Sequence, residues 1–259
     1  MGDRLRLLDV GCGTGLGTAL LLETPLGRRI ARVELLDTSA EMLERCRRRA
    51  AGWKVEHTLR QGTLDALDDG TYDLVLASSV LHHIPDLGLF CGALARRQGP
   101  GGLFLHLQDP NPDAGPEAEA RREDLARSDG PVQRLAWRLT WRKLAGRLRR
   151  VLAREGDYIS QVNARLLTER IVAAPLTDRE LWSVTDIHVG ELPYSMGDGI
   201  RVSSLRPLLA GYTLVSERSY AYFGEMESAL PPALRARERE LAGRRAPGGT
   251  LLAALWRKG

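Results

Sequence analysis

Leu5-Arg6-Leu7-Leu8-Asp9-Val10-Gly11-Cys12-Gly13-Thr14-Gly15-Leu16 is the stretch on which the fold turns. A mostly apolar run ends in three alternating glycines, and apolar helix formers resume from Leu16 to Leu22, so the segment reads as strand, tight turn, helix. Glycines permit the backbone geometry that lays main-chain N–H groups against a ligand at the positive end of a helix. Outward from this turn the alternation continues. Arg32 to Leu36 reads as a second strand, Ser39 caps a helix running through Arg49, and Val55 to Leu59 offers a third strand. Tyr72 to Ser78 is almost continuously apolar, as expected of a strand buried on both faces of a parallel sheet. A helix from Leu87 to Arg97 and a strand from Leu103 to Leu107 complete the series, and strands alternating with helices at this spacing predict a doubly wound α/β sheet.

After Pro110 the regularity stops. Helical stretches are expected over 117–127, 133–154, 160–172 and 178–184, with no strong strand signal, before a helix near Ser203 to Leu209 and strands at Thr213 to Tyr222 and Thr250 to Trp256 restore the pattern. The chain therefore divides into a core over 1–111, a helical insertion over 112–200 and a completion of the core sheet over 201–259. An insertion of that length is well beyond ordinary loops and is usually a substrate-covering or partner-binding device. Within it, residues 121–154 carry ten arginines and Lys143 against Glu123, Asp124 and Asp129, while Trp137, Trp141, Leu144, Leu148 and Val151 recur on one helical face. An amphipathic helix packed on its own domain with a solvated basic face explains this. So would an acidic, phosphorylated or lipidic small molecule, a peripheral membrane contact, or nucleic acid, though aromatics at 5% and the lack of a recognition module speak against the last.

The chain has 259 residues, 43% hydrophobic and 27% charged, which excludes collagen, coiled-coil rods and wholesale disorder. Net charge is +4, but all of the 37 basic residues except Lys54, Lys143 and Lys258 are arginine, a skew that codon composition alone can produce. Cys12, Cys46 and Cys91 form neither a disulfide framework nor a metal-ligand spacing, so a reducing, cytoplasmic setting and no metal are expected. No run of about 18 apolar residues occurs to span a membrane.

A lone glycine-rich turn is shared by nicotinamide and flavin enzymes. Here it is joined by Leu36-Asp37-Thr-Ser-Ala-Glu-Met-Leu43, Tyr72-Asp-Leu-Val-Leu-Ala-Ser-Ser-Val-Leu-His-His-Ile-Pro-Asp86, and Pro100-Gly-Gly-Leu-Phe-Leu105, in order and at matching spacing. Over residues 5–111, and again over the last two strands, the sequence resembles the class I S-adenosylmethionine-dependent methyltransferases of the small-molecule branch sometimes labelled type 11 or 12. The resemblance implies a seven-stranded Rossmann-like sheet with its last strand antiparallel. It also implies a cofactor site: Asp9 with Gly11, Gly13 and Gly15 around the methionine moiety, Asp37 on the ribose, Thr38 flanking the adenine, and Ser78 and Ser79 beneath the sulfonium. In Gln61-Gly62-Thr63-Leu64-Asp65 the chain departs from the family, which usually has an acid after the glycine; either Thr63 makes a weaker hydrogen bond or Asp65 reaches back. Taken singly, Asp9 could be a turn residue and Asp37 an N-cap.

Methyl transfer from a sulfonium is an in-line displacement, so the protein mainly orients the acceptor and excludes water, and a base is optional. The candidates are His82 and His83 after the fourth strand, Asp109 at the end of the fifth, and His188 beside Asp186 in the insertion. Ligands of open α/β sheets sit beyond the carboxyl ends of the strands, which puts His82, His83 and Asp109 at the mouth of the site, one histidine facing the acceptor and the other structural. Family members commonly have helices ahead of the first strand, where this chain has four residues; residues 112–200 are expected to serve as the lid instead, or the true start lies upstream. The expected reaction is methylation of a small organic acceptor, a specialised metabolite, at oxygen, nitrogen or carbon. The rival readings are an RNA or protein methyltransferase, and a cofactor-binding protein that transfers nothing.

Overall fold

The computed structural model describes residues 4–67, 71–84, 86–116, 199–224 and 226–259, with short pieces at 120, 163–164, 166–168 and 172–176. Seven strands form one sheet in the order β3-β2-β1-β4-β5-β7-β6: β1 (Leu5–Val10), β2 (Ile30–Asp37), β3 (Glu56–Gln61), β4 (Leu74–Ser78), β5 (Leu103–Pro110), β6 (Tyr212–Tyr220) and β7 (Leu251–Lys258). The first five are parallel, and β7 runs antiparallel between β5 and β6. The expected Rossmann-like sheet is therefore the one observed.

Both faces of the sheet are covered, which is why its central strands are apolar nearly throughout. In β1, Leu5 and Leu7 face one core with Leu74 and Leu76 of β4, while Leu8 and Val10 face the other with Val75 and Ala77. Helices α1 (Leu16–Leu22) and α2 (Ala40–Ala50) lie along the first core, to which α2 gives Leu43, Cys46 and Ala50. The second core takes Leu87, Phe90, Cys91 and Leu94 from α3 (Leu87–Arg96) and Val202 and Leu205 from the short α4 (Val202–Leu205). Caps start these helices where the sequence offers them: Ser39 Oγ accepts from Met42 N at 3.3 Å, and Asp86 Oδ1 accepts from Leu89 N at 2.8 Å.

Among the described α-helices and strands, one has no counterpart in the sequence reading. Helix α5 (Pro232–Gly243) packs Leu234 and Leu241 on Tyr222, Phe223 and Leu230 at the rim. Its buried Glu238 accepts from Tyr222 N at 2.9 Å, and burial pushes that carboxyl up despite the backbone hydrogen bonds it receives. The signal was present in Pro232 followed by helix formers, but an apolar face of two leucines among alternating Arg and Glu is a faint periodicity.

The stems of the insertion meet. Ile200 N donates to Pro110 O at 2.9 Å, and Arg201 pairs with Asp113 at 3.1 Å, so the chain leaves the core at β5 and returns beside the same point. Most of 117–198, including the basic stretch, Asp186 and His188, lies outside the described residues. No helix among the described residues is long and apolar enough to cross a membrane.

Candidate functional site

The strand order reverses between β1 and β4, and the loops after their carboxyl ends part there to leave a crevice, where ligands of such sheets bind. The glycine turn lies on this crevice. Gly11 has φ +63°, and a Cβ there would stand 2.6 Å from Val80 Cγ2; Gly15, at φ +75°, would meet Cys46 Sγ at 2.7 Å. Only glycine satisfies both the left-handed backbone and the space. The turn is held from outside by Cys12 N on Leu36 O at 3.0 Å and by Arg49 of α2, whose Nη1 donates to Thr14 Oγ1 at 2.6 Å.

Two clefts flank it. The first, about 410 Å3, is lined by Asp9, Gly11, Cys12, Gly13, Thr14, Ser78 and Gln108, together with leucines of α1 and β5. Asp9 is buried: its Oδ2 accepts from Thr18 Oγ1 at 2.6 Å, and its Oδ1 has no hydrogen-bond partner among the described residues. Burial pushes this carboxyl up to about 7, the Thr18 bond opposing and the nearby Asp37 charge adding. Ser78 Oγ donates to Gln108 Oε1 at 3.0 Å.

The second cleft, about 420 Å3, holds Asp37, Thr38, Thr63, Ser79 and His83 with Val80, Ile84 and Phe90. Asp37 ends β2 and bridges two loops, Oδ2 accepting from Gly13 N at 2.7 Å and Oδ1 from Ser39 N at 2.8 Å. Each oxygen keeps a second lone pair, so the carboxylate still has acceptor capacity toward a ligand. Thr63 lines this cleft, whereas Asp65 is exposed and pairs with Arg96 at 3.6 Å, so it does not reach back.

The histidine pair divides. His83 lines the second cleft, while His82 is buried with its Nδ1 2.9 Å from Asp109 Oδ1. Asp109 is not at the mouth of the site, as its place at the end of β5 suggests, but wholly buried and joined at Oδ2 to His106 Nδ1 at 3.0 Å. A bulge explains this. Gln108 has φ +62° and the β5–β7 register shifts between Leu107 and Asp109, so His106 and Asp109, which regular pleating would point to opposite faces, share one. Burial raises the Asp109 carboxyl, but the hydrogen bonds and charges of His106 and His82 outweigh it and leave the group below its ordinary value.

The structure thus brings Asp9, Gly11, Gly13 and Ser78 to one cleft and Asp37, Thr38, Thr63, Ser79 and His83 to the other, with Gly11 common to both. Gly15 stands behind the turn against Cys46, and His188 lies outside the described residues. Thr18, Arg49, His106, Gln108 and Tyr220, whose hydroxyl accepts from Gln108 N at 2.8 Å, were not singled out by sequence. Of these, Thr18 lies 9 residues beyond its partner Asp9, in the first turn of α1. Among the described residues no cluster of three or more His, Cys, Asp or Glu is arranged to hold a metal ion.

Residues 8–106 match the family model described as a methyltransferase domain. Over 108 residues the chain is 42% identical to the ubiquinone biosynthesis O-methyltransferase of Methylocella silvestris, covering 40% of this chain and 39% of that protein; over 103 residues it is 38% identical to the enzyme of that name from Sinorhizobium fredii, covering 39% and 40%. The matched segment is thus about two fifths of the length of these relatives. Among solved structures, an S-adenosylmethionine-dependent methyltransferase from Mesorhizobium loti superposes with a TM-score of 0.50 at 19% identity, covering 100% of this chain and 94% of that one. That likeness is one of fold.

Proposed function

We propose, on the premise that residues 8–106 are a class I methyltransferase domain, that this chain transfers a methyl group from S-adenosylmethionine to a small organic acceptor. Oxygen is the favoured acceptor atom because the relatives matched by sequence are named as O-methyltransferases. The observation that carries the reading is Asp9, a buried residue lining the first cleft whose Oδ1 has no hydrogen-bond partner among the described residues, beside the same turn that Asp37 clamps. A buried carboxylate oxygen without a partner is costly unless a cation reaches it. The ammonium of a methionine moiety is such a cation. Asp37 would use its remaining lone pairs on the ribose hydroxyls, Thr38 and Thr63 would flank the adenine, and Ser78 and Ser79 would close the side toward the sulfonium.

The cofactor supplies an electrophilic methyl group and its own leaving group. This chain's part is to fix the methyl group's approach and keep water out. His83, which lines the second cleft, would take a proton from an acceptor hydroxyl; its ring lies 3.9 Å from that of His82, which is in turn paired with Asp109, and this supports the assignment. Residues 112–200 would form the lid that selects the acceptor, and the setting is the reducing cytoplasm. Calorimetric titration with S-adenosylmethionine and S-adenosylhomocysteine, with NADH as control, tests this. Micromolar binding of both adenosyl compounds and none of NADH is expected; failure of both to bind would remove the reading.

A further inference from the structure

Two non-glycine residues in the left-handed region stand side by side at the carboxyl ends of the central strands: Ser79, φ +59°, just beyond β4, and Gln108, φ +62°, near the end of β5. Such backbone persists only where its surroundings hold it. Ser79 N donates to Leu107 O at 2.7 Å, Gln108 N donates to the Tyr220 hydroxyl at 2.8 Å, and Ser78 Oγ donates to Gln108 Oε1 at 3.0 Å. The bulge thus brings the Gln108 side chain to the face of the sheet that carries Asp9 and Ser78, and the three line the first cleft together. With Oε1 taken by Ser78, the amide nitrogen of Gln108 keeps two N–H donors, for which there is no acceptor among the described residues.

We propose that Gln108 binds the carboxylate of the cofactor's methionine moiety, across the first cleft from the Asp9 that takes its ammonium. The assignment rests on the cofactor reading and supplies the half of the zwitterion that Asp9 leaves unpaired. An α-amino acid head carries a cation and an anion on one carbon, so its site needs a donor within reach of an acceptor. The described lining of the first cleft contains no lysine, arginine or histidine. Its other polar side chains are engaged: Ser78 donates to Gln108, Thr24 to Leu21 O at 2.6 Å and Cys12 to Gly13 O at 3.8 Å, while Thr14 is gripped by Arg49. Strands β1 and β5 both border β4, so the backbones of Asp9 and Gln108 are separated sideways by two strand spacings, roughly 10 Å. The bond to Ser78 lays the Gln108 side chain over β4, on the side of Asp9, and α1 meets the same strand there, since a Cβ on Gly17 would stand 3.6 Å from Ser78 Cβ. The space over Ser78 is thereby left for an amino-acid head between the two side chains. A neutral amide also gives the carboxylate charge-assisted hydrogen bonds without setting a second cation beside the sulfonium.

Calorimetry on the full chain tests this by comparing S-adenosylhomocysteine with its decarboxylated analogue, S-adenosyl-3-thiopropylamine, which keeps the ammonium, the thioether and the nucleoside. The wild-type protein should bind S-adenosylhomocysteine at least tenfold more tightly than the analogue. Gln108→Gly, which suits the left-handed backbone and removes the amide, should weaken S-adenosylhomocysteine at least tenfold and change the analogue by less than threefold. Gln108→Glu, a variant of nearly the same shape should the first fail to fold, sets a carboxylate against the ligand's own and should show the same selective loss. A parallel loss for both compounds would mean that Gln108 acts only through the bulge, and no loss for either would mean that it touches neither; each result overturns the proposal. If the wild-type protein binds both compounds equally, the cofactor reading stands and the carboxylate assignment alone falls; if it binds neither, the cofactor reading fails and takes the assignment with it.

Discussion

Asp9 is a carboxyl held where ionisation is costly. Burial moves it from 3.8 to about 7, so between those values the folded protein keeps a proton that the unfolded chain has released. The folded state then binds more protons, and its stability falls as pH rises from about 4 toward 7 and is level above. The relative gain is complete below the unfolded value and lost as pH passes the folded one, on the order of 4 kcal/mol at most. Wild-type protein should therefore melt higher at pH 6 than at pH 8 in the absence of ligand, by a margin that Asp9→Asn abolishes; equal pH slopes in the two proteins, measured by thermal unfolding, would contradict the burial argument. Because an ionised Asp9 is the form that attracts an ammonium, S-adenosylhomocysteine should also bind more tightly as pH rises through 7, and Asp9→Asn should weaken it tenfold or more. Asp37 makes a separate prediction. Asp37→Ala removes charge-assisted acceptors and leaves Gly13 N without its partner, so calorimetry should show a loss of roughly 2–3 kcal/mol in cofactor affinity; unchanged affinity would remove the ribose assignment.

Among the elements, β5 shows where sequence reading stops. Its apolar alternation and the Pro100-Gly-Gly102 turn before it were legible, as were the glycine turn, the Ser39 cap and the near-continuous apolarity of β4, because each is a local pattern with one physical cause. The bulge at Gln108 was not, since nothing in Leu-Gln-Asp announces a left-handed non-glycine residue; the backbone there is held by Tyr220, 112 positions away. The fate of Asp109 follows from that bulge. Asp37 ends β2 and Thr63 follows β3 by simple counting, whereas the pairing of Asp109 with His106 depends on the bulge within β5 and its pairing with His82 on a contact to the segment after β4. We expect Asp109→Leu to leave both histidine N–H groups without their acceptor and to cost about 3 kcal/mol or more in chemical denaturation. Asp109 is depressed in the fold, so its contribution is present above the ordinary carboxylate value and lost as pH falls through the lower folded one. The substitution should hence matter most near neutral pH and least in strong acid; an equal loss at pH 3 and pH 7 would point to packing instead of the buried carboxylate.

At the level of the molecule, the seven-stranded sheet is interrupted at a place where interruption is cheap. Pro110 and Ile200 are bonded neighbours, Asn111 N donates to Thr250 O at 2.8 Å, and Gly115 N to Gly248 O, so both ends of the insertion are anchored to the core by their own backbone. Loop-closure entropy grows only with the logarithm of loop length, which is how a sheet tolerates a long excursion between β5 and β6. The division of labour in the proposed function follows: both clefts are built from residues before 111, and the selection of an acceptor is left to what intervenes. Replacing residues 116–198 by a short glycine-serine linker keeps the Asp113–Arg201 pair and the Pro110–Ile200 bond. The shortened protein should fold cooperatively and bind S-adenosylhomocysteine within about threefold of the full chain, because no cleft residue is removed. It should also transfer no methyl group to any acceptor that the full chain methylates, as read by S-adenosylhomocysteine release. Retained turnover would refute the lid, and loss of cofactor binding would show that the insertion completes the cofactor site rather than the acceptor's.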